Sequence, residues 1–496
     1  MKNIFKTLFV TVLCSMTFGS CSDVLDIKYD NTLSSSTMWK DASDLEKSVP
    51  AIYQRLRNYF SDSECNVFYF GEIRVGDYMW GPSLESNVQD NFKIACRKST
   101  LTSSNTISWS GLYTVIDQTN AVLYHADECG ADEATTNWAK AQAYFGRAFS
   151  YFYAARVWGD VPINLVPVES TSQPECYPER SDKALVYAQV EADIAACEAC
   201  GNVLGSDKYL GTANALNMLK AEYALWMYRT QNGGASYLTM AEDALDAIGI
   251  SSSTILPKYA DIFDRTNKKN AEVVFALNNT ASSTGGYQVF FCQPSNLIAS
   301  KYRNNPVPIS STQWWSYSEQ FVSVLKASET AGDTRVATNL GYGPYSAASD
   351  KHEITWCNKF LGDMSKAPVV QDNDLLYYRS GLAVMMLAEL KYYQEKYSDA
   401  LDALNIIAKR AYGNANHYTD TRANSVKNAL VKEYFLEFPA EGVIWWALLR
   451  LGEDVLFQYN PDLEAISTTN KNYMLWPVAH ASMTKNNKIK QTEGWS

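Results

Sequence analysis

The residues best placed to do chemistry here are aromatic and polar side chains on two glycine- and serine-rich stretches. The run Arg74-Val-Gly-Asp77-Tyr-Met-Trp80-Gly-Pro, continuing to Asn87, sets an arginine, an aspartate, an indole and an amide on one loop. A second stretch supplies Tyr287 and the adjacent pair Trp314-Trp315. This combination suits carbohydrate. Flat rings cover the C–H faces of a sugar, while Arg, Asp and Asn bond its hydroxyl edges. Neighbouring tryptophans in an extended segment point to opposite sides, so one of that pair would face a ligand. Packing of the same side chains back onto helices is the competing expectation.

Covalent chemistry is harder to find. No H-E-x-x-H, G-x-S-x-G, G-x-x-x-x-G-K-[ST] or G-x-G-x-x-G string occurs. His125, His352, His417 and His480 stand singly, none at metal-ligand spacing. Cys197-Glu-Ala-Cys200 lies late in a helical pattern, with no second pair and no preceding strand, which argues against zinc and redox roles. A glycosidase needs only two carboxylates, and 54 acidic residues always offer a pair on paper. Nothing else singles one out. The expectation is no catalytic residue and no cofactor, with a structural calcium ion left open.

Charge and leader narrow the setting. Lys+Arg 43 against Asp+Glu 54 gives a net −11 over 496 residues, an acidic balance that argues against nucleic acid as a partner. Lys2 and Lys6 precede an apolar run, Leu8–Phe18, of the length a secretory signal needs. Phe18-Gly19-Ser20-Cys21 then reads as a lipobox, with Phe18 in place of the usual aliphatic residue. Residues 1–20 are expected to be a lipoprotein signal peptide, Cys21 the lipidated residue, and 21–37 a tether. No other segment approaches the roughly 18 apolar residues of a membrane span.

The scaffold that would position the loops is helical. In Trp138–Pro162, Ala141, Tyr144, Phe145, Ala148, Phe149, Phe152 and Ala155 recur at three-and-four spacing, and the opposite face is hardly more polar. A helix apolar nearly all round must be surrounded by others. Thr136 offers an N-cap, and Gly159 with Pro162 a stop. Ser43-x-x-Glu46 reads as a capping box opening a helix towards Phe60, with Pro50 expected to kink or shorten it. Further helices are expected over 107–127 and 181–200. Two helix-turn-helix pairs follow: 212–231 with 236–248, and 374–396 with 398–412. In the second helix of each pair, Tyr237 with Ala241 and Ala244 is echoed by Tyr397 with Ala400 and Ala403. Residues 251–372 are rich in Ser, Gly, Asn and Pro, a loop-rich insertion of the kind that usually carries function. This divides the mature chain into a helical region 38–250, the insertion 251–372 and a second helical region 373–496.

Four separated blocks together resemble the SusD/RagB family of Bacteroidetes nutrient-binding lipoproteins. They are the lipobox followed by Asp23 and Asp26, the helix with R-A-F-S-Y-F running on to Gly159-Asp-Val-Pro162, Glu433-x-x-x-Glu437-Phe438-x-x-Glu441-Gly442, and the closing Leu475-Trp476-Pro477 with Gln491 and Gly494. Ile444 and Ala447 depart from the Arg and Asp common in that family, and Thr492 from its Asn. The resemblance implies a mainly α fold: a tetratricopeptide-like right-handed superhelix with a loop-rich, mostly irregular C-terminal subdomain. It further implies a surface-exposed, lipid-anchored protein of the outer membrane that binds oligosaccharide and works as the lid of a SusC-like TonB-dependent transporter. By position, Trp80, Tyr287 and Trp314 would form the aromatic arc, with Arg74 and Asn87 as polar partners. A peptide-binding lid is the nearest alternative. A glycoside hydrolase or a helical protein-binding scaffold would be readings of a different class.

Overall fold

The computed structural model describes residues 38–61, 66–81, 91–170, 172–251, 253–282, 315–344, 353–363, 365–366 and 370–496. The N-terminal part holds α1 (Ala42–Phe60), α2 (Asn66–Gly71), β1 (Trp80–Gly81), α3 (Asn91–Lys98), α4 (Ser110–His125) and α5 (Glu133–Trp158). It continues through α6 (Lys183–Ala199), α7 (Ala213–Thr230) and α8 (Ser236–Ile248). The middle contains β2 (Val273–Leu277), β3 (Ser316–Tyr317), α9 (Glu319–Thr330), α10 (Val336–Asn339), β4 (Gly341–Pro344) and β5 (Glu353–Trp356). Last come β6 (Leu375–Arg379), α11 (Ser380–Tyr393), α12 (Tyr397–Tyr412), α13 (Ala423–Glu437), α14 (Ile444–Leu451), α15 (Glu453–Tyr459), α16 (Pro461–Ser467) and α17 (His480–Lys485).

The antiparallel pairs α7–α8 and α11–α12 form as the tyrosine–alanine echo implies, with Ala241, Ala244, Ala400 and Ala403 buried at the contacts. The result is a tetratricopeptide-like helical body. At its centre α5 packs on α4 and α6 and also touches α1, and every residue from Phe145 to Trp158 is buried. Gly146 permits the closest approach, since a Cβ there would meet Ile52 Cγ2 of α1 at 2.8 Å. Two arginines orient the helix. Arg147 forms a bidentate pair with Asp193 of α6 (2.9 and 2.7 Å) and donates to Asn120 of α4 at 2.9 Å, while Arg156 pairs with Glu222 of α7.

Three local expectations need correction. The N-cap of α5 is Asp132, whose carboxylate accepts from Thr135 N at 2.7 Å, so Thr136 lies inside the helix. In α1 the cap is Asp41 and not Ser43, and the helix continues through Pro50 as one element. The 374–396 run is part strand. Leu375-Leu-Tyr-Tyr-Arg379 pairs antiparallel with β2, and helix starts only at Ser380. A short apolar run does not by itself distinguish strand from buried helix, and here tertiary pairing decides.

The middle segment is locked to the last helices by buried charge. Arg335 pairs with Asp333 (2.9 Å), Glu433 (2.7 Å) and Glu437 (2.9 Å), all wholly buried. Arg379 reaches Glu441 (2.7 Å), Glu437 (2.7 Å) and Glu272 (3.0 Å). Arg410 joins Glu272 and Glu437, and Lys359 joins Glu441 at 2.6 Å. The glutamates of the E-x-x-x-E-x-x-x-E-G block are therefore the acceptors of an ionic hub. Glu433 and Glu437 lie one helical turn apart on α13, on one face. Burial opposes the charge on Glu437, but the three arginines outweigh it and hold this carboxyl well below its usual range.

Candidate ligand-binding site

The two loop stretches meet at a two-stranded ribbon. β1 and β3 pair antiparallel, with Trp80 opposite Tyr317 and Gly81 opposite Ser316. Gly81 is the last described residue before 82–90, and Trp315 the first after 283–314. The ribbon thus ties together the feet of both candidate loops. Ser318 N donates to Met79 O at 3.2 Å, and Thr355 Oγ1 of β5 donates to Tyr317 O at 3.4 Å. The β4–β5 hairpin stands beside the same ribbon through its β5 strand.

The structure changes the role of several candidate residues. Trp80 is wholly buried, edge-on to Phe68 at 5.0 Å and 4.5 Å from the Tyr317 ring, and its Nε1 donates to Glu72 at 3.3 Å. Trp315 is buried against Phe68 and Tyr69, donating from Nε1 to the Tyr69 hydroxyl at 3.3 Å. Both indoles are buried and find a polar partner inside. Arg74 is also interior. Its guanidinium donates to Ser99 Oγ at 3.1 Å, to Met474 O at 2.6 Å and to Tyr473 O, pinning the C-terminal segment, and it lies 4.7 Å over the Trp445 ring. Arg74 and Trp80 are thus buried where the loop reading expected them at the surface, and the inward Trp315 accords with only one of the adjacent tryptophans facing a ligand. Asp77 does sit at the surface, where it pairs with Arg97 at 2.9 Å. Asn87, Tyr287 and Trp314 lie outside the described residues, as does Cys21.

Glu72 joins this site to the C-terminal motif. Its carboxylate accepts from Ala440 N (2.9 Å), Gly442 N (2.6 Å) and Trp80 Nε1. Burial pushes this carboxyl up to about 8. Gly442 has φ 72°, and a Cβ on it would meet Val67 O at 2.7 Å, so α2 and the end of the motif approach at backbone distance.

One exposed ring was overlooked as a site residue. Tyr342 on β4 is 54% exposed, with Lys326 Nζ 5.2 Å from its ring centroid. Its neighbour Gly341 lies flat against the buried Trp356, where any Cβ would strike the indole at 2.2 Å. The signal in the sequence was the Gly-Tyr-Gly-Pro string, a turn-former setting around one aromatic. Nearby, a cleft of 570 Å³ lined by Phe263, Arg265, Thr338, Asn358 and Asp363 has its arginine already clamped by Asp372 at 2.7 and 2.6 Å. Among the described residues, no three His, Cys, Asp or Glu side chains converge as metal ligands. No described helix is long and apolar enough to cross a membrane. Burial raises the Cys197 thiol to about 12, so this thiol stays protonated at neutral pH.

Comparison with known proteins adds the family context. Residues 23–215 match the model described as starch-binding, associating with outer membrane, and residues 312–495 match the SusD family model. A SusD-like protein of Formosa agariphila is 24% identical, over 98% of this chain and 99% of its own. A SusD superfamily protein of Bacteroides fragilis superposes with a TM-score of 0.77 at 21% identity, covering 92% of this chain and all of its own. A laminarin-binding SusD-like protein superposes with a TM-score of 0.74 at 17% identity, with the same coverage.

Proposed function

Because this chain belongs to the SusD family, we propose that it is a cell-surface lipoprotein, anchored through Cys21, that captures oligosaccharide and delivers it to a SusC-like TonB-dependent outer-membrane transporter. The family is one of glycan-binding proteins and not of enzymes, so ligand is held and passed on unchanged. The observation that supports the reading is the β1–β3 ribbon, which pairs Gly81 with Ser316, residues next in the chain to the two aromatic-bearing stretches. Tyr287, Trp314 and Asn87 supply rings and an amide from those stretches, and Tyr342 adds an exposed ring from the adjacent hairpin. Stacking and hydrogen bonds in an open, solvated site give moderate affinity.

A glycan array with the purified mature protein tests this, with laminarin as a first probe because one structural neighbour is named for binding it. Binding that falls in Trp314→Ala and Tyr287→Ala supports the site. Binding that both variants retain moves the site elsewhere. Binding of peptides alone changes the ligand class, and release of shorter sugars from the oligosaccharide would return the hydrolase reading. Cys21→Ala should release the protein from the membrane fraction.

A further inference from the structure

Pro50, Gln54 and Arg57 recur at four-and-three spacing and so share one face of α1. With Asp207, Tyr209 and Leu210 from the segment leading into α7, and Asn278 just after β2, they line a cleft of 380 Å³. That volume lies at the low end of small-ligand sites, about 300–1,000 Å³. The walls are fixed by bonds of their own. Ala276 N of β2 donates to Lys208 O at 2.9 Å, and Lys208 Nζ to Asn270 O at 2.6 Å. The Tyr209 hydroxyl donates to Asp374 at 2.7 Å, and Lys269 Nζ holds the ring from one side, 3.9 Å from its centroid. Gly211 N donates to the Tyr53 hydroxyl of α1 at 2.8 Å. The 207–211 segment is thus tied to both β2 and α1, and filling the cleft costs little further ordering.

The lining selects the ligand. Its charged groups, and the lysines beside it, are each bonded within the protein. Asp207 pairs with Lys269 at 2.6 Å and Asp374 with Lys268 at 2.9 Å, while Arg57 donates to Asn58 Oδ1 at 2.8 Å and to Asn278 O at 3.4 Å. Gln54 and Asn278 differ. Both are exposed, and among the described residues neither side-chain amide has a hydrogen-bond partner. An amide both donates and accepts, as a sugar hydroxyl does, and Pro50, Leu210 and the Tyr209 ring supply apolar surface between them. We propose that this cleft is a second carbohydrate subsite, taking one uncharged pyranose residue with its C–H face on Pro50, Leu210 and Tyr209 and its hydroxyls on Gln54 and Asn278. The inference rests on the reading of this chain as an oligosaccharide binder and adds a site to it, at the opposite end of the 278–315 stretch from the β1–β3 ribbon.

The test is a ligand-observed NMR titration of the purified mature protein with glucose, galactose, mannose and xylose in turn, with glucuronate and trialanine for comparison. At least one of the four sugars should bind. Gln54→Ala with Asn278→Ala should raise its dissociation constant at least about fivefold, with an unchanged circular dichroism spectrum, and Trp314→Ala should leave it unaltered. Binding of none of the four sugars, or of glucuronate or trialanine alone, overturns the proposal. Sugar binding that survives the double variant and falls in Trp314→Ala also overturns it, yet leaves the oligosaccharide reading intact. A fall in both variants assigns the sugar to a site shared with the ribbon stretches and removes the separate subsite. Failure of every sugar here and of every glycan on the array sinks both.

Discussion

Two clusters fasten the middle of the chain to the helical body, and they are built from opposite materials. Around the β1–β3 ribbon, Phe68, Tyr69, Trp80, Trp315 and Tyr317 meet as rings. Across the same middle segment, Arg335, Arg379 and Arg410 meet Glu272, Glu433, Glu437 and Glu441 as charges. Ring packing is non-directional and degrades gradually when altered. Buried charge is all-or-none, because removing one partner leaves the other desolvated and unpaired. The charged cluster should therefore be the less forgiving.

The largest effect is expected from Arg379→Ala, which takes from Glu272, Glu437 and Glu441 one buried cationic partner each and leaves the hub short of a positive charge. The loss should be about 3–5 kcal/mol, read as a lower urea midpoint at an unchanged slope. A loss near zero would mean that the hub relaxes by admitting water. Trp80→Phe should cost less, about 1–3 kcal/mol, for lost volume and the lost bond to Glu72. Glycan binding by the folded variant should persist. Loss of binding with the fold intact would return Trp80 to the ligand site and dissolve the contrast between packing rings and binding rings.

That second outcome bears on what could be read in advance. The all-apolar repeat of 141–155 is dictated by burial alone, so α5 was legible to its C-terminal glycine. The glutamates at 433, 437 and 441 carried a recognisable spacing, but two of their partners, Arg379 and Arg335, lie more than 50 residues away in sequence, and no local pattern announces such pairing. Trp80 was read as an exposed ring and is buried, whereas the inward Trp315 fits the alternation of an adjacent pair. Whether an indole on a glycine-rich stretch faces solvent or core depends on a two-residue strand pairing across more than 200 residues. The candidate site was thus legible as a place more than as a set of side chains.

The joint between the two clusters has its own signature. Glu72 touches Trp80 on one side and the 440–442 backbone on the other. Burial raises its folded pKa to about 8, against an ordinary value of 4.5. Its contribution is fully present below the ordinary value and is lost as pH rises towards 8. Glu437 has the opposite sign, since its depressed pKa gives stability above the ordinary value that is lost as pH falls through the acid range. Glu72→Gln should therefore shrink the drop in melting temperature between pH 5 and pH 8, leaving the acid limb unchanged. An unchanged alkaline slope would assign that drop to another group.

The smallest effect on stability, and the sharpest on ligand, should come from the exposed end of the comparison. Tyr342 is anchored through its backbone, paired with Thr355, and through Gly341 lying on Trp356. Its ring is more than half exposed, so Tyr342→Ala should cost under about 0.5 kcal/mol. If that ring stacks on sugar, the same change should weaken glycan binding about tenfold, or ~1.4 kcal/mol, while Tyr342→Phe keeps most of the affinity because the face is retained. Calorimetric titration of the two variants separates these cases. Equal affinity in all three proteins would take Tyr342 out of ligand contact and leave it a surface ring beside Lys326.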